Sequence, residues 1–334
     1  MMVRCKRRKH DANEDSVNRS SHASVAPDVA WRLARKALTM NKLGVHALVW
    51  VGGWSHDECE RAIARTAEIG FDLIEIPALD LAAIDSDFTR KMLERYRLGT
   101  TMSLGLDAST DISSQDLGKQ ARGKARLMQV LEVARDIGAT HVCGILYSAF
   151  QKYCDPPTEA GITASVDVMR HVGEQAARHG ITIGLEVVNR YESNVLNTAA
   201  QALAYAQRVG LPNVTVHLDT YHMNIEESDL EAALIQTGER LGYFHIGESG
   251  RGYLGAGNID FDRVFRGLVK AGYQGPITFE SFSSAVVNKQ LQGILGIWRN
   301  LWEDGADLAR HAKGFIEHGM KSAREAHARG GHAR

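Results

Sequence analysis

The feature that most constrains this chain is a repeat. From Leu43 onward, short apolar runs alternate with helical stretches, and the alternation occurs eight times. The runs are LGVHALVW (43–50), FDLIEI (71–76), TTMSLGL (100–106), THVCGIL (140–146), TIGLEVV (182–188), VTVHLD (214–219), GYFHIG (242–247) and PITFES (276–281). Helices are expected over roughly 55–69, 86–98, 115–137, 161–179, 197–209, 226–237 and 260–271, with a longer helical region over 289–327. Ser55-x-x-Glu58 and Ser228-x-x-Glu231 read as capping boxes, whose side chains satisfy amides that a first helical turn leaves unpaired. Strands apolar throughout suit a parallel sheet buried on both faces. Eight such units in about 280 residues are what a single (β/α)8 TIM barrel requires.

Charge divides the chain differently. Residues 1–39 hold nine Lys/Arg and four Asp/Glu, whereas the remaining 295 residues hold 30 and 36, so a net charge of −1 conceals a basic tail on an acidic body. The tail is Ser-rich and without periodicity, so 1–39 reads as a disordered N-terminal extension and 40–334 as the barrel domain. Within the tail, 28–38 reads as a short amphipathic helix and Met40 as an alternative start. An acidic body argues against a nucleic-acid partner. No run approaches the ~18–20 apolar residues of a membrane span. The four cysteines show no metal-type spacing and no apolar leader precedes them, so a reduced, cytoplasmic protein with free thiols is expected.

In a TIM barrel the active site lies at the C-terminal ends of the strands. Four polar residues stand there on otherwise apolar strands five to eight: Glu186, Asp219, His245 and Glu280. Their spacings of 33, 26 and 35 residues each match about one repeat, so the side chains can converge. Each alone has a plainer reading. A strand-end Glu is commonly a salt-bridge partner, with Arg190 close by for Glu186, and a strand His is commonly a hydrogen-bonded core residue. Three carboxylates and an imidazole at one point repel unless a cation joins them, and an oxygen-rich set suits Mn²⁺, Mg²⁺ or Co²⁺ better than Zn²⁺. The loops that follow (189–192, 221–224 and 248–252) carry Glu, His and Arg suited to a polyol. There, too, Arg190 and Glu192 can be read as simply pairing, and Asn224 with Glu227 as the cap of the sixth helix. Gly250-Arg-Gly252-Tyr-Leu-Gly255 spells a dinucleotide fingerprint, but the next helix is expected only near Asp260 and in the seventh unit, so nucleotide binding is set aside.

GLEVVNRYESNVLNTAAQAL, VHLDTYHMNIEE, FHIGESGRGYLGAGNID and ITFESFSS resemble the D-tagatose 3-epimerase family of ketose 3-epimerases, which includes D-allulose (psicose) and L-ribulose 3-epimerases within the xylose isomerase-like TIM barrels. The resemblance covers roughly 40–321. It implies that Glu186, Asp219, His245 and Glu280 hold the metal, most often Mn²⁺ or Co²⁺, and that Glu186 and Glu280 are also the acid–base pair. It implies further that Glu192, His222 and Arg251 hold the C1–C3 oxygens of a free ketose, in a homodimer or homotetramer. The chain departs from the pattern at His46, where many relatives have an aromatic residue. Trp54 and loop 147–157 have no certain match, which leaves the wall around the distal part of the sugar undefined.

The implied reaction inverts C3 through a cis-enediolate, with a Lewis-acid metal and a carboxylate on each face. An aldose–ketose or hydroxypyruvate isomerase on the same scaffold is the alternative. An endonuclease-IV-like nuclease is disfavoured by the single-histidine ligand set and the acidic body. A silent sugar- or metal-binding barrel, or an interaction protein acting through the basic tail, is the reading from a different class. Trp298, Trp302 and Phe315 of the last helical region suit either a subunit contact or a cover for the barrel.

Overall fold

The computed structural model describes residues 41–331, so the basic extension, its expected helix and Met40 lie outside the described residues. Eight parallel strands close into a barrel in chain order. They are β1 (Leu43–His46), β2 (Leu73–Pro77), β3 (Gly99–Leu106), β4 (His141–Ala149), β5 (Thr182–Val187), β6 (Val214–Asp219), β7 (Leu241–Ile246) and β8 (Ile277–Phe279). The sheet closes where Leu43, Gly44 and Val45 pair with Ile277, Thr278 and Phe279. The outer layer is α1 (His56–Ile69), α2 (Ser86–Tyr96), α3 (Leu117–Ile137), α4 (Glu159–Arg178), α5 (Ala199–Val209), α6 (Thr220–Glu226), α7 (Leu230–Thr237), α8 (Phe261–Lys270), α9 (Lys289–Leu295) and α10 (Gly305–Gly331). The expected fold is the observed one.

Local chemistry explains the boundaries. At the start of α1 the Glu58 carboxylate accepts from the Ser55 amide at 3.0 Å, as the capping box predicts, and also from the Ser55 hydroxyl at 2.7 Å. The helix ends at Gly70, whose φ of 86° is accessible to glycine at little cost. Inside the barrel Gly144 has φ 116°, and a Cβ there would collide with the Leu104 carbonyl of β3.

Three expectations on the outer layer are corrected. The α7 cap is Asp229, whose carboxylate accepts from Ala232 N at 3.1 Å, and not Ser228; Glu231 is drawn away to Lys270 at 2.6 Å. The segment after β6 does not run as a loop to one helix, because Asp219 caps α6 at once by accepting from Tyr221 N at 2.9 Å. The last helical region breaks at Gly296 (φ 66°), and a non-helical stretch separates α9 from α10.

Phe315 of α10 packs edge-on against Phe261 of α8 at 5.2 Å, and the Trp302 indole N–H donates to Ser281 Oγ at 2.8 Å. These two aromatics therefore cover the chain's own barrel, whereas Trp298 is 78% exposed. No helix among the described residues is long and apolar enough to cross a membrane.

Candidate active site

Glu186, Asp219, His245 and Glu280 sit at the C-terminal ends of β5 to β8. Period-two alternation turns them to the barrel axis while Leu185, Val187, Leu218, Ile246 and Phe279 face the helices. Glu280 lies one residue past β8, but its amide still donates to Ile246 O at 3.1 Å and so keeps the strand register. All four are buried, and one donor atom from each lies within 4.8 Å of all the others. The structure brings the four predicted residues together.

The histidine shows what kind of group completes this cluster. His245 Nε2 is 2.8 Å from Glu75 Oε2, whereas Nδ1 has no hydrogen-bond partner among the described residues. Nδ1 instead faces Glu186 Oε1 at 3.5 Å and Glu280 Oε1 at 3.6 Å. A lone pair aimed at two carboxylate oxygens is unfavourable unless a positive charge stands among them, either a proton or a metal ion. Three hard oxygen donors and one imidazole suit a divalent cation such as Mn²⁺ or Mg²⁺. The cluster could therefore hold a metal ion.

The second group of predicted residues joins the first directly. His222 Nδ1 accepts from Asn189 Nδ2 at 2.9 Å, so the opposite nitrogen carries the proton. That Nε2 faces Asp219 at 3.6 Å, and Glu186 and Glu192 each at 3.8 Å. The same Asn189 amide donates to Glu192 Oε1 at 2.9 Å. Arg251 Nη1 reaches Asp219 Oδ2 at 3.1 Å and Glu280 Oε2 at 2.5 Å, with its guanidinium 3.9 Å above the Tyr221 ring. Arg251 takes φ 57°, a left-handed conformation that costs a non-glycine residue roughly 1–3 kcal/mol. All seven predicted residues thus form one contiguous polar constellation.

Burial dominates its electrostatics. It pushes the carboxyls of Glu186 and Glu192 up to about 7 and raises Asp219. Burial acts on Glu280 in the same sense, but Arg251, His245 and His46 outweigh it and hold Glu280 below the usual range. His222 is pushed well down by burial, with the charges of Arg251 and His245 adding to it. His245 is raised well above its usual value, because Glu75, Glu280 and Glu186 overcome a large burial effect.

The plainer pairings of Arg190 do not form. Arg190 turns outward to Glu226 (Nη2 to Oε2, 2.8 Å) and is paired with neither Glu186 nor Glu192. Residues 250–255 open no helix, and α8 begins only at Phe261. Loop 147–157 is partly strand, since β4 runs through Ala149 and the Tyr147 hydroxyl donates to Glu186 O at 2.7 Å. His46 faces the axis, its Nε2 3.3 Å from Ser103 Oγ and 3.6 Å from Glu75 Oε1. Trp54 donates to Thr89 Oγ1 of α2 at 3.0 Å.

This geometry coincides with similarity to known proteins. The chain matches the xylose isomerase-like TIM barrel family over residues 63–312. It is 47% identical over 275 residues to a ketose 3-epimerase of Arthrobacter globiformis, covering 82% of this chain and 95% of that protein. The chain belongs to the ketose 3-epimerase family. A second relative in that family, an L-ribulose 3-epimerase of a Methylomonas species, is also 47% identical, over 82% of this chain and 96% of its own. Among solved structures, a D-allulose 3-epimerase from Methylomonas sp. in complex with D-allulose superposes with a TM-score of 0.82 at 46% identity, covering 84% of this chain and 97% of that one. The chain is accordingly an isomerase-class enzyme.

One buried acid of this ketose 3-epimerase family member went unread in the sequence. Glu75 of β2 is fully buried and binds His245 from the far side of the barrel. Its signal, a lone carboxylate within the apolar strand LIEIP, is the one that singled out Glu186, Asp219 and Glu280.

Proposed function

We propose that the chain inverts C3 of free ketoses of the D-tagatose, D-fructose, D-allulose or L-ribulose type, with a divalent metal held by Glu186, Asp219, His245 and Glu280. The observation that carries this reading is the pair of carboxylates, Glu186 and Glu280, that both face His245 Nδ1, at 3.5 and 3.6 Å. The named substrates of the relatives support it: D-allulose in the superposed complex and L-ribulose in the Methylomonas enzyme.

Epimerisation at C3 removes a proton α to the C2 carbonyl and returns one on the opposite face through a planar cis-enediolate. When bound, the metal supplies Lewis acidity for the oxygens beside the reacting carbon. Glu186 and Glu280 reach the cluster from β5 and from the end of β8, and serve as base and acid with roles exchanged between the two directions. Such steps are worth about 10²–10⁴-fold each. Arg251 and His222 present N–H donors, and Glu192 an acceptor, to the hydroxyls and carbonyl at C1–C3. Arg251 also offsets the negative charge of Asp219 and Glu280.

Incubating Mn²⁺-loaded protein with a panel of free ketoses and separating the products tests the reading. C3-epimeric ketoses are the expected products. Aldose products would replace the reading with an aldose–ketose isomerase.

A further inference from the structure

We propose that Glu75 is the positioning residue for His245, fixing the imidazole as the tautomer whose Nδ1 lone pair faces Glu186, Asp219 and Glu280. The inference rests on the proposed metal site and assigns a part of it that lies outside the ligand set. Barrel interiors are filled mainly by branched apolar side chains. A fully buried carboxylate in that position is costly unless it is paired and hydrogen-bonded.

The hydrogen bonds of Glu75 converge on one oxygen, Oε2, while Oε1 faces His46 Nε2 at 3.6 Å. Oε2 sits 2.8 Å from His245 Nε2. The same oxygen accepts from the Tyr243 hydroxyl at 2.8 Å. The Tyr243 oxygen in turn lies 2.7 Å from both Thr101 Oγ1 and Thr278 Oγ1. If both threonines donate, the single phenolic proton must go to Glu75, so the carboxylate is held by the Tyr243 hydroxyl of β7, which is itself fixed by threonines of β3 and β8. An acceptor at Nε2 requires that this nitrogen carry the hydrogen, which leaves Nδ1 as the bare donor atom. His217 packs edge-on to the ring at 4.2 Å and limits its rotation from below. Carboxylates that hold the far nitrogen of a ligating histidine set both its tautomer and its orientation, and losing one typically weakens metal binding about 10–100-fold.

The test is titration of metal-free protein with Mn²⁺ by calorimetry, comparing wild type with Glu75→Gln, Tyr243→Phe and Glu186→Gln. Glu75→Gln is expected to weaken Kd about 10–100-fold, and Tyr243→Phe to weaken it several-fold, with far-ultraviolet circular dichroism unchanged. In Mg²⁺-loaded ¹⁵N-labelled protein, the Nε2–H proton of His245 is expected downfield and slow to exchange, and to lose that protection in Glu75→Gln. A Glu75→Gln protein with Kd within two-fold of wild type and an unaltered His245 resonance overturns the inference. Should that variant not fold, an unchanged Kd in Tyr243→Phe overturns it equally. The metal reading itself fails, and this inference with it, if wild type does not bind Mn²⁺ or if Glu186→Gln binds as tightly as wild type.

Discussion

Arg251 Nη1 lies 2.5 Å from Glu280 Oε2. The guanidinium also bonds Asp219 and lies over the Tyr221 ring, so one cation restrains two of the three clustered acids. A lysine has neither the planar fork nor the stacking face. Arg251→Lys is expected to lower kcat/KM by about 10–100-fold, the loss of roughly 1.5–3 kcal/mol of charged hydrogen bonding. Steady-state kinetics on D-allulose and L-ribulose check this, and a value within two-fold of wild type would remove Arg251 from the substrate site.

Glu186 and Glu280 are the proposed acid–base pair. Glu186→Gln and Glu280→Gln should each lower kcat by about 10²–10⁴-fold. The double variant should fall well short of the product of the two losses, because the residues act as a unit. Substantial activity retained in either single variant would break the pair.

The α7 cap separates two adjacent candidates. Asp229→Ala should lower the thermal midpoint, whereas Ser228→Ala should leave it unchanged within error. Hydrogen bonding from the Ala232 amide holds the Asp229 carboxyl below its usual range, so its stabilising effect is present above the unfolded-state value. That effect is lost as pH falls through the lowered folded-state value. The gap between wild type and Asp229→Ala should therefore be full near neutrality and close in acid, as calorimetry at several pH values would show.

The thiols differ by environment. Cys154 is exposed, whereas burial pushes the Cys59 thiol up to about 11 and the Cys143 thiol well above its usual value. Since the thiolate is the nucleophile, brief iodoacetamide treatment of the native protein should alkylate Cys154 and spare both buried thiols. Peptide mass spectrometry reads the outcome, and rapid labelling of Cys59 would contradict the packing around α1.

How much of this was legible depended on whether a feature is local. Apolar strands punctuated by single polar residues at one end gave the barrel and four clustered residues, because strand alternation and repeat length fix both. Glu75 is not legible as a site residue because its partner, His245, is 170 residues away and across the barrel. The α7 cap is ambiguous in the sequence because Ser228 and Asp229 are both good cap formers, and only the backbone decides between them. Arg190 looked like a partner for Glu186, but adjacent positions past a strand end face different ways, and Glu226 on α6 holds it outside. The break after α9 was written in Gly296, yet helical periodicity resumes soon afterwards and masks it.

The most direct test of the central claim is epimerisation in D₂O with nuclear magnetic resonance detection at C3. Two carboxylates that exchange the C3 proton with solvent from opposite faces predict that the epimeric ketose formed carries deuterium at C3. A product epimer that retains its original hydrogen at C3 would contradict the account, and deuterium at C2 of an aldose product would assign the chemistry to isomerisation.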